Sequence, residues 1–190
     1  MKQDIQRLFD DSIEALRQTA GRLAGPLEQA AAMIVEAYRN GGGVLVFGNG
    51  GSASDAQHIA GELVGRFLVN RPALKAEALS SNTSVLTCIA NDFGYDAVFS
   101  RQIEANATAR DVVIALSTSG NSANIVTALA KARQIGAGTI LLSGEGGGQA
   151  AQHADILLDV PSRHTPRIQE SHVVLYHILC ELVEQAMVRS

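Results

Sequence analysis

Apolar residues at helical spacing dominate the first forty positions of the chain. One set recurs at intervals of four and three residues, namely Phe9, Ile13, Leu16, Ala20 and Leu23. This spacing is typical of a helix that buries a narrow seam against another helix. Pro26 favours the start of a second helix, because proline is well tolerated in a first helical turn, and glycines 41–43 favour its end. The pattern predicts an N-terminal extension of two helices within residues 1–40.

From residue 44 onward, short apolar runs alternate with helical patterns. Five runs are predicted as strands, at residues 44–47, 76–79, 112–116, 139–142 and 155–159. Short strands that are apolar throughout are typical of a parallel sheet covered on both faces. The alternation therefore predicts an α/β fold: a doubly wound five-stranded parallel sheet in the flavodoxin-like order 2-1-3-4-5, flanked by helices. Because the sequence contains no linker or repeat, residues 1–190 are predicted to form a single domain.

Composition and charge narrow the function classes. The formal net charge is -4 without a cluster of lysine or arginine, which argues against nucleic acid as a partner. No apolar run approaches the roughly 20 residues of a membrane span, and the N-terminal residues are amphipathic rather than signal-like. Cys88 and Cys180 lie outside any paired motif, which favours reduced and mostly buried thiols. These features predict a cytoplasmic protein that binds neither nucleic acid nor membrane.

Two strand-to-helix loops carry the candidate binding chemistry. The glycine-rich loop at 48–52 lets the backbone approach a ligand closely, and the loop at 117–122 places four hydroxyls before a helix. Hydroxyls and a helix N-terminus suit a phosphate group, whereas an ordinary helix cap needs one hydroxyl. In the order 2-1-3-4-5 the two loops follow neighbouring strands, so they are expected to line one crevice. Ser52 and Asp55 also resemble a capping box for the helix after the first loop.

A dinucleotide site is the alternative use of the glycine loop. Gly48, Gly50 and Ala53 fit the pattern G-x-G-x-x-A. Such a site expects an acidic residue about 20 positions further on, at the end of the next strand. Here that strand ends at residues 79–82 in Leu-Ser-Ser-Asn, so the pattern alone is a weak signal.

Three side chains with acid–base or metal-binding chemistry are expected near the crevice. His58 and Glu62 are four residues apart on the helix that begins at the glycine loop, so they share one face. His177 lies in a final helix that is apolar on all sides between 173 and 183, which favours a subunit interface. Taken singly, each could be structural, as is expected for His172, which points elsewhere on the helix. Together, a carboxylate and a histidine supply the base and acid that move a proton between neighbouring carbons.

With both loops included, the chain resembles the sugar isomerase (SIS) family, and within it the sedoheptulose 7-phosphate isomerases. The matching segments cover nearly the whole chain and are GNGGSASDAQH at 48–58, GEL at 61–63, ANDFG at 90–94, LSTSGNSAN at 116–124 and RIQESH at 167–172. The resemblance implies an aldose–ketose isomerase that converts D-sedoheptulose 7-phosphate to D-glycero-D-manno-heptose 7-phosphate through an enediol, the first step of ADP- or GDP-heptose biosynthesis. It also implies a homotetramer in which the N-terminal helices pack and the sites lie at subunit interfaces.

The resemblance further implies roles for individual residues. Glu62 and His177 correspond to the catalytic positions. The implied zinc ligands are His58, Glu62, Gln169 and His177. The implied substrate contacts are those four residues together with Asn49, Gly50, Gly51, Ser52, Asn91, Asp92, Ser117, Thr118, Ser119 and Ser122.

Two mechanisms remain open for these residues. In one, Glu62 is the general base and His177 the general acid. In the other, zinc on the four ligands polarises the substrate oxygens, although glutamine is an unusual zinc ligand. A non-catalytic relative, a scaffold associated with the bacterial replication initiator, would lack Glu62 and His177, so their presence favours an enzyme.

Overall fold

A parallel sheet forms the centre of the computed structural model, which describes residues 1–189. Within these residues the sheet has five strands in the order β2-β1-β3-β4-β5. The strands are β1 (Val44–Gly48), β2 (Ala76–Ala78), β3 (Val112–Ser117), β4 (Gly138–Ser143) and β5 (Ile156–Asp159). All neighbouring strands run parallel, with Val44 in register with Ala76 on one side and Val112 on the other. The predicted α/β fold and strand order are confirmed.

Helices cover both faces of this sheet. They are α1 (Lys2–Arg39), α2 (Gly51–Val64), α3 (Thr83–Phe93), α4 (Ser100–Asn106), α5 (Ala123–Ile135) and α6 (Thr165–Val188). Successive strand residues point to opposite faces, so Val46 and Ile114 join a core with α1, α2 and α6. Phe47 and Val113 join a second core with α4 and α5. The all-apolar strands are therefore explained by burial on both sides.

The N-terminal extension differs from the prediction. The structure has one continuous helix over Lys2–Arg39 with Pro26 inside it, where two helices were expected. A proline in a helix interior removes a hydrogen bond and costs about 3 kcal/mol. Leu23 and Leu27, on either side of Pro26, are nevertheless both buried in the core shared with α6. Burial of apolar side chains across the proline offsets that cost, so the helix continues.

The two cysteines lie in different environments. Cys180 on α6 is buried, as expected, but Cys88 on α3 is exposed, so the prediction of two buried thiols is wrong for Cys88. No residue of α3 is buried in the described chain, which leaves its thiol facing water. Burial raises the pKa of the Cys180 thiol to about 12.

Of the helices formed by residues 1–189, none is both long and apolar enough to cross a bilayer.

Candidate active site

The glycine loop after β1 and the hydroxyl-rich loop after β3 meet at the carboxyl ends of their strands. Asn49 and Asn124 exchange two side-chain hydrogen bonds, each 2.9 Å long. Tyr95, in the turn after α3, donates a further hydrogen bond of 3.3 Å to Oδ1 of Asn49. Adjacent parallel strands end at the same sheet edge, which is why the expected juxtaposition of the two loops is observed.

The glycine loop leads into α2, and the N-terminus of that helix has no side-chain cap within the described chain. Gly50 is the N-cap of α2, and no side chain of residues 1–189 bonds this end of the helix, so the expected capping box of Ser52 and Asp55 is wrong. Gly51 lies directly against Gln169 on α6, because a Cβ at Gly51 would stand only 2.7 Å from Nε2 of that side chain. The loop therefore presents open backbone, with the Gln169 amide beside it.

The hydroxyl-rich loop is held in one conformation by backbone contacts. Gly120 has a φ of +64°, and a Cβ there would collide with the carbonyl oxygen of Gly147, so the loop requires glycine at this position. The hydroxyl of Ser119 accepts a hydrogen bond from the backbone of Asn121. Ser122 is the N-cap of α5, yet its side chain makes no capping bond within the described chain. The N–H of Ile125 bonds the carbonyl oxygen of Ser122, so within the described chain the N–H groups of Ala123 and Asn124 are those that remain available to an anion.

Three of the predicted site residues converge between α2 and α6. Nε2 of His58 lies 3.0 Å from Oε1 of Glu62 and 3.4 Å from Nε2 of His177. One possible ligand atom from each residue lies within 4.8 Å of the other two. The i, i+4 spacing on α2 brings His58 and Glu62 together, and α6 supplies His177. Two imidazoles and a carboxylate are donors that zinc prefers, so this set, here called the His58 cluster, fits that metal.

Two residues that the sequence did not assign to the site, Tyr176 and Asp55, lie behind the His58 cluster. The hydroxyl of Tyr176 is 2.9 Å from Nδ1 of His58 and donates a 3.4 Å hydrogen bond to Oδ1 of Asp55. Burial raises the pKa of the Asp55 carboxyl, although the bond from Tyr176 and the charge of His58 oppose the rise. Burial likewise raises the pKa of the Tyr176 hydroxyl, which therefore stays protonated. Tyr176 sits in an apolar stretch of α6, so the sequence carries no signal of this contact.

The remaining predicted site residues lie apart from the His58 cluster. Asn91 and Asp92 are exposed at the end of α3, where Asn91 donates a 2.8 Å hydrogen bond to Asp92. Within residues 1–189, no hydrogen bond joins either residue or Gln169 to the cluster. The turn that follows α3 does reach the crevice, through the bond from Tyr95 to Asn49.

His172 has the structural environment that was expected of it. It is fully buried, and Nε2 donates to the carbonyl oxygen of Ser143 at 3.2 Å. Burial lowers its pKa to about 4, so the ring is neutral.

Comparison with known proteins agrees with the fold. A model of the SIS domain family matches residues 8–144. The phosphoheptose isomerase of Geobacter sp. (strain M21) is 48% identical over 187 residues, which is 98% of this chain and 97% of that protein.

Solved structures give the same result. The phosphoheptose isomerase GmhA from Neisseria gonorrhoeae superimposes with a TM-score of 0.92 at 41% identity, over 97% of this chain and 98% of that one. A phosphoheptose isomerase from Francisella tularensis gives a TM-score of 0.93 at 36% identity, over 96% and 97% of the two chains. The chain therefore belongs to the SIS domain family and, at a finer level, to the phosphoheptose isomerases within it.

Proposed function

We propose that this protein is an isomerase that converts D-sedoheptulose 7-phosphate to D-glycero-D-manno-heptose 7-phosphate. The observation that carries the proposal is the convergence of His58, Glu62 and His177, two of them on the helix that begins at the glycine loop. The chain aligns with a phosphoheptose isomerase over 97% of that protein's length at 48% identity, which supports the choice of substrate. The product would enter ADP- or GDP-heptose synthesis.

The hydroxyl-rich loop would hold the phosphate end of the substrate. The hydroxyls of Ser119 and Ser122 and the first-turn amides of α5 are hydrogen-bond donors on one short segment. A helix N-terminus adds the favourable field of its dipole for a dianionic group. The open backbone around Gly51 would let the sugar chain pass toward the His58 cluster. Contacts to the sugar from Asn49, Asn91 and Asp92 are part of this proposal.

Proton transfer would run between Glu62 and the first two carbons of the ketose. Glu62 takes a proton from C1 while His177 gives one to the oxygen on C2, which yields the enediol. Glu62 then returns a proton to C2, and His177 accepts the proton of the C1 hydroxyl to leave the aldehyde. The Glu62 side chain is 23% exposed and hydrogen-bonded to His58, so it is both reachable and oriented.

The same site would hold zinc. Its ligands would be His58, Glu62 and His177, with Gln169 as the fourth. A bound zinc ion would polarise the two substrate oxygens as a Lewis acid. The donor types of the His58 cluster support this assignment. Gln169 lies against Gly51 at the mouth of the same crevice.

We further propose a homotetramer that works in the cytoplasm. Apolar side chains of α1 and α6 line one open groove, and they include Ile13, Leu16, Ala20, Val174, Ile178 and Leu182. Ile178 directly follows His177, so a subunit that covered this groove would adjoin the site. Two free thiols in the described chain are compatible with a reducing compartment.

Turnover of sedoheptulose 7-phosphate by matched variants tests the proposed function. Glu62→Gln and His177→Gln should each lower kcat by at least about 100-fold, as expected for lost acid–base groups. Glu181→Gln, on α6 but outside the His58 cluster, should leave kcat unchanged. Circular dichroism on the same preparations checks that the variants fold. Near wild-type turnover in either cluster variant would contradict the assignment.

A further inference from the structure

The hydroxyl of Tyr176 stands between a histidine of the cluster and a second carboxylate. Its ring is 1% exposed, and the hydroxyl lies 2.9 Å from Nδ1 of His58 and 3.4 Å from Oδ1 of Asp55. Nδ1 points away from the other two cluster residues, since Nε2 faces both Glu62 and His177. Tyr176 therefore meets His58 at the nitrogen that faces away from the cluster, and its ring also packs edge-on against His177, with centroids 4.9 Å apart.

The direction of these hydrogen bonds follows from the groups themselves. A carboxylate can only accept hydrogen bonds. The single proton of the Tyr176 hydroxyl is therefore donated to Asp55. The phenolic oxygen is then free to accept a hydrogen bond from Nδ1–H of His58. With the ring proton on Nδ1, the lone pair of Nε2 is directed to the side where Glu62 and His177 lie. A donor atom for a metal must carry such a free lone pair.

We propose that Tyr176, supported by Asp55, is a positioning residue that holds the ring of His58 with Nε2 directed into the cluster. The proposal rests on the proposed function for the use of the cluster. It adds two residues, Tyr176 and Asp55, whose side chains make no hydrogen bond to Glu62 or His177 within residues 1–189. Removing the hydroxyl takes away the acceptor of Nδ1–H, so the ring loses the contact that favours this tautomer and fixes its orientation.

Zinc affinity tests this role without depending on turnover. In competition with a chromophoric chelator, Tyr176→Phe should bind zinc about 10–100-fold more weakly than the wild-type protein, the usual effect of losing such an outer partner. Tyr38→Phe is the matched control, because it also removes one hydroxyl from a largely covered tyrosine, whose partner is the carbonyl oxygen of Lys75. That variant should bind zinc like the wild-type protein.

Variants of Asp55 separate positioning from a fault in folding. Asp55→Asn keeps a carbonyl oxygen that accepts from Tyr176, so it should retain more zinc affinity than Asp55→Ala. Thermal midpoints of all variants are measured on the metal-free protein. The proposal is overturned if wild-type protein binds no zinc, if Tyr176→Phe loses no more affinity than Tyr38→Phe, or if the two Asp55 variants do not differ. If the zinc affinities are as expected but the wild-type protein does not turn over sedoheptulose 7-phosphate, the proposed function is contradicted and the role of Tyr176 is not.

Discussion

The two histidines of α6 differ because their surroundings differ. His172 is fully buried, and its Nδ1 has no hydrogen-bond partner within residues 1–189. A proton on that nitrogen would be buried without compensation, which explains the pKa of about 4. His177 is only partly buried and lies next to His58 across 3.4 Å. One helix thus carries a buried imidazole and an imidazole of the His58 cluster five positions apart.

The low pKa of His172 predicts a pH dependence of stability. The unfolded state binds the proton below about pH 6.5, whereas the folded state resists it down to about pH 4. The folded protein is therefore destabilised as the pH falls through this window, by about 2 kcal/mol at pH 5. Urea unfolding at pH 7.5 and pH 5 should show that the wild-type protein loses about this much more stability than His172→Gln. An equal loss in both proteins would contradict the assignment.

At the residue scale, contacts between side chains at regular helical spacing could be predicted from the sequence. Contacts between different helices could not. His58 and Glu62 were found because i, i+4 spacing places side chains together on any helix. The link from Tyr176 to His58 joins α6 to α2, and the apolar neighbours of Tyr176 in sequence conceal it. Asp55 was assigned to a helix cap because the sequence shows its distance from Ser52, but not the tyrosine that packs beside it.

At the element scale, the hydroxyl-rich loop is expected to set phosphate affinity. Ser119→Ala removes one donor to a charged acceptor, so it should weaken substrate binding by about 1–3 kcal/mol. Inorganic phosphate should compete with the substrate, and its inhibition constant should rise in the same variant. Ser100→Ala, on α4, is the control. Equal binding of the heptulose with and without its phosphate would show that the loop has another role.

The segment between α2 and β2 is held by a single carboxylate of α6. Glu184 accepts hydrogen bonds from the backbone N–H groups of Phe67, Leu68 and Val69, at 2.7–3.0 Å, and its Oε1 lies 3.2 Å from Nε of Arg71. Burial raises the pKa of Glu184, but these bonds and the charge of Arg71 together outweigh it, so the pKa is lowered. The ring of Phe67 in turn packs against His177, with centroids 5.6 Å apart. This anchor connects the segment to the site.

Glu184→Gln should therefore destabilise the fold. The change leaves the side chain of Arg71, 3% exposed, without its counter-charge, which costs about 3 kcal/mol when a buried pair is broken. Glu181→Gln, one turn earlier on α6, should change stability by less than about 0.5 kcal/mol. Chemical denaturation of the three proteins measures both effects. A Glu184→Gln protein as stable as the control would show that the anchor is dispensable.

Elements whose burial is uniform were the easiest to predict. The ends of β1 and β3 lie within one residue of their predicted ends, because strands covered on both faces are apolar throughout. The prediction that one helix ends and another begins at Pro26 was wrong. The preference of proline for a first helical turn is a local property, whereas the packing of α1 along the core is a tertiary effect. The Glu184 anchor was also missed, because its partners are backbone groups more than 100 positions away.

At the scale of the whole molecule, a single chain leaves apolar surface uncovered. Phe9 and Ile13 on α1 are 63% and 50% exposed, and Val174 and Ile178 on α6 are 40% and 41% exposed. Such a patch on two packed helices is typical of an interface between copies, and closed symmetric assemblies are the common outcome. The proposed tetramer follows from this surface together with the position of His177 beside it.

Disrupting that surface should lower both the mass of the assembly in solution and the isomerase activity. Deletion of residues 1–22, or Ile13→Glu alone, should yield smaller species with reduced turnover, although no residue of the His58 cluster is altered. Gln18→Glu adds the same charge at an exposed polar position of α1 and should leave both unchanged. Light scattering reports the mass and an isomerase assay the activity. A fully active monomer would contradict an interface that completes the site.

We propose above all that Glu62 moves a proton between neighbouring carbons of sedoheptulose 7-phosphate. The most direct measurement is the reaction in D₂O, with the aldose product analysed by NMR. Because the Glu62 carboxyl is partly exposed, a proton that it takes from C1 can exchange with solvent before transfer to C2. The account predicts deuterium at C2 of the product from the wild-type protein and no labelled product from Glu62→Gln. Labelled aldose formed by Glu62→Gln at the wild-type rate, or no aldose at all from the wild-type protein, would contradict it.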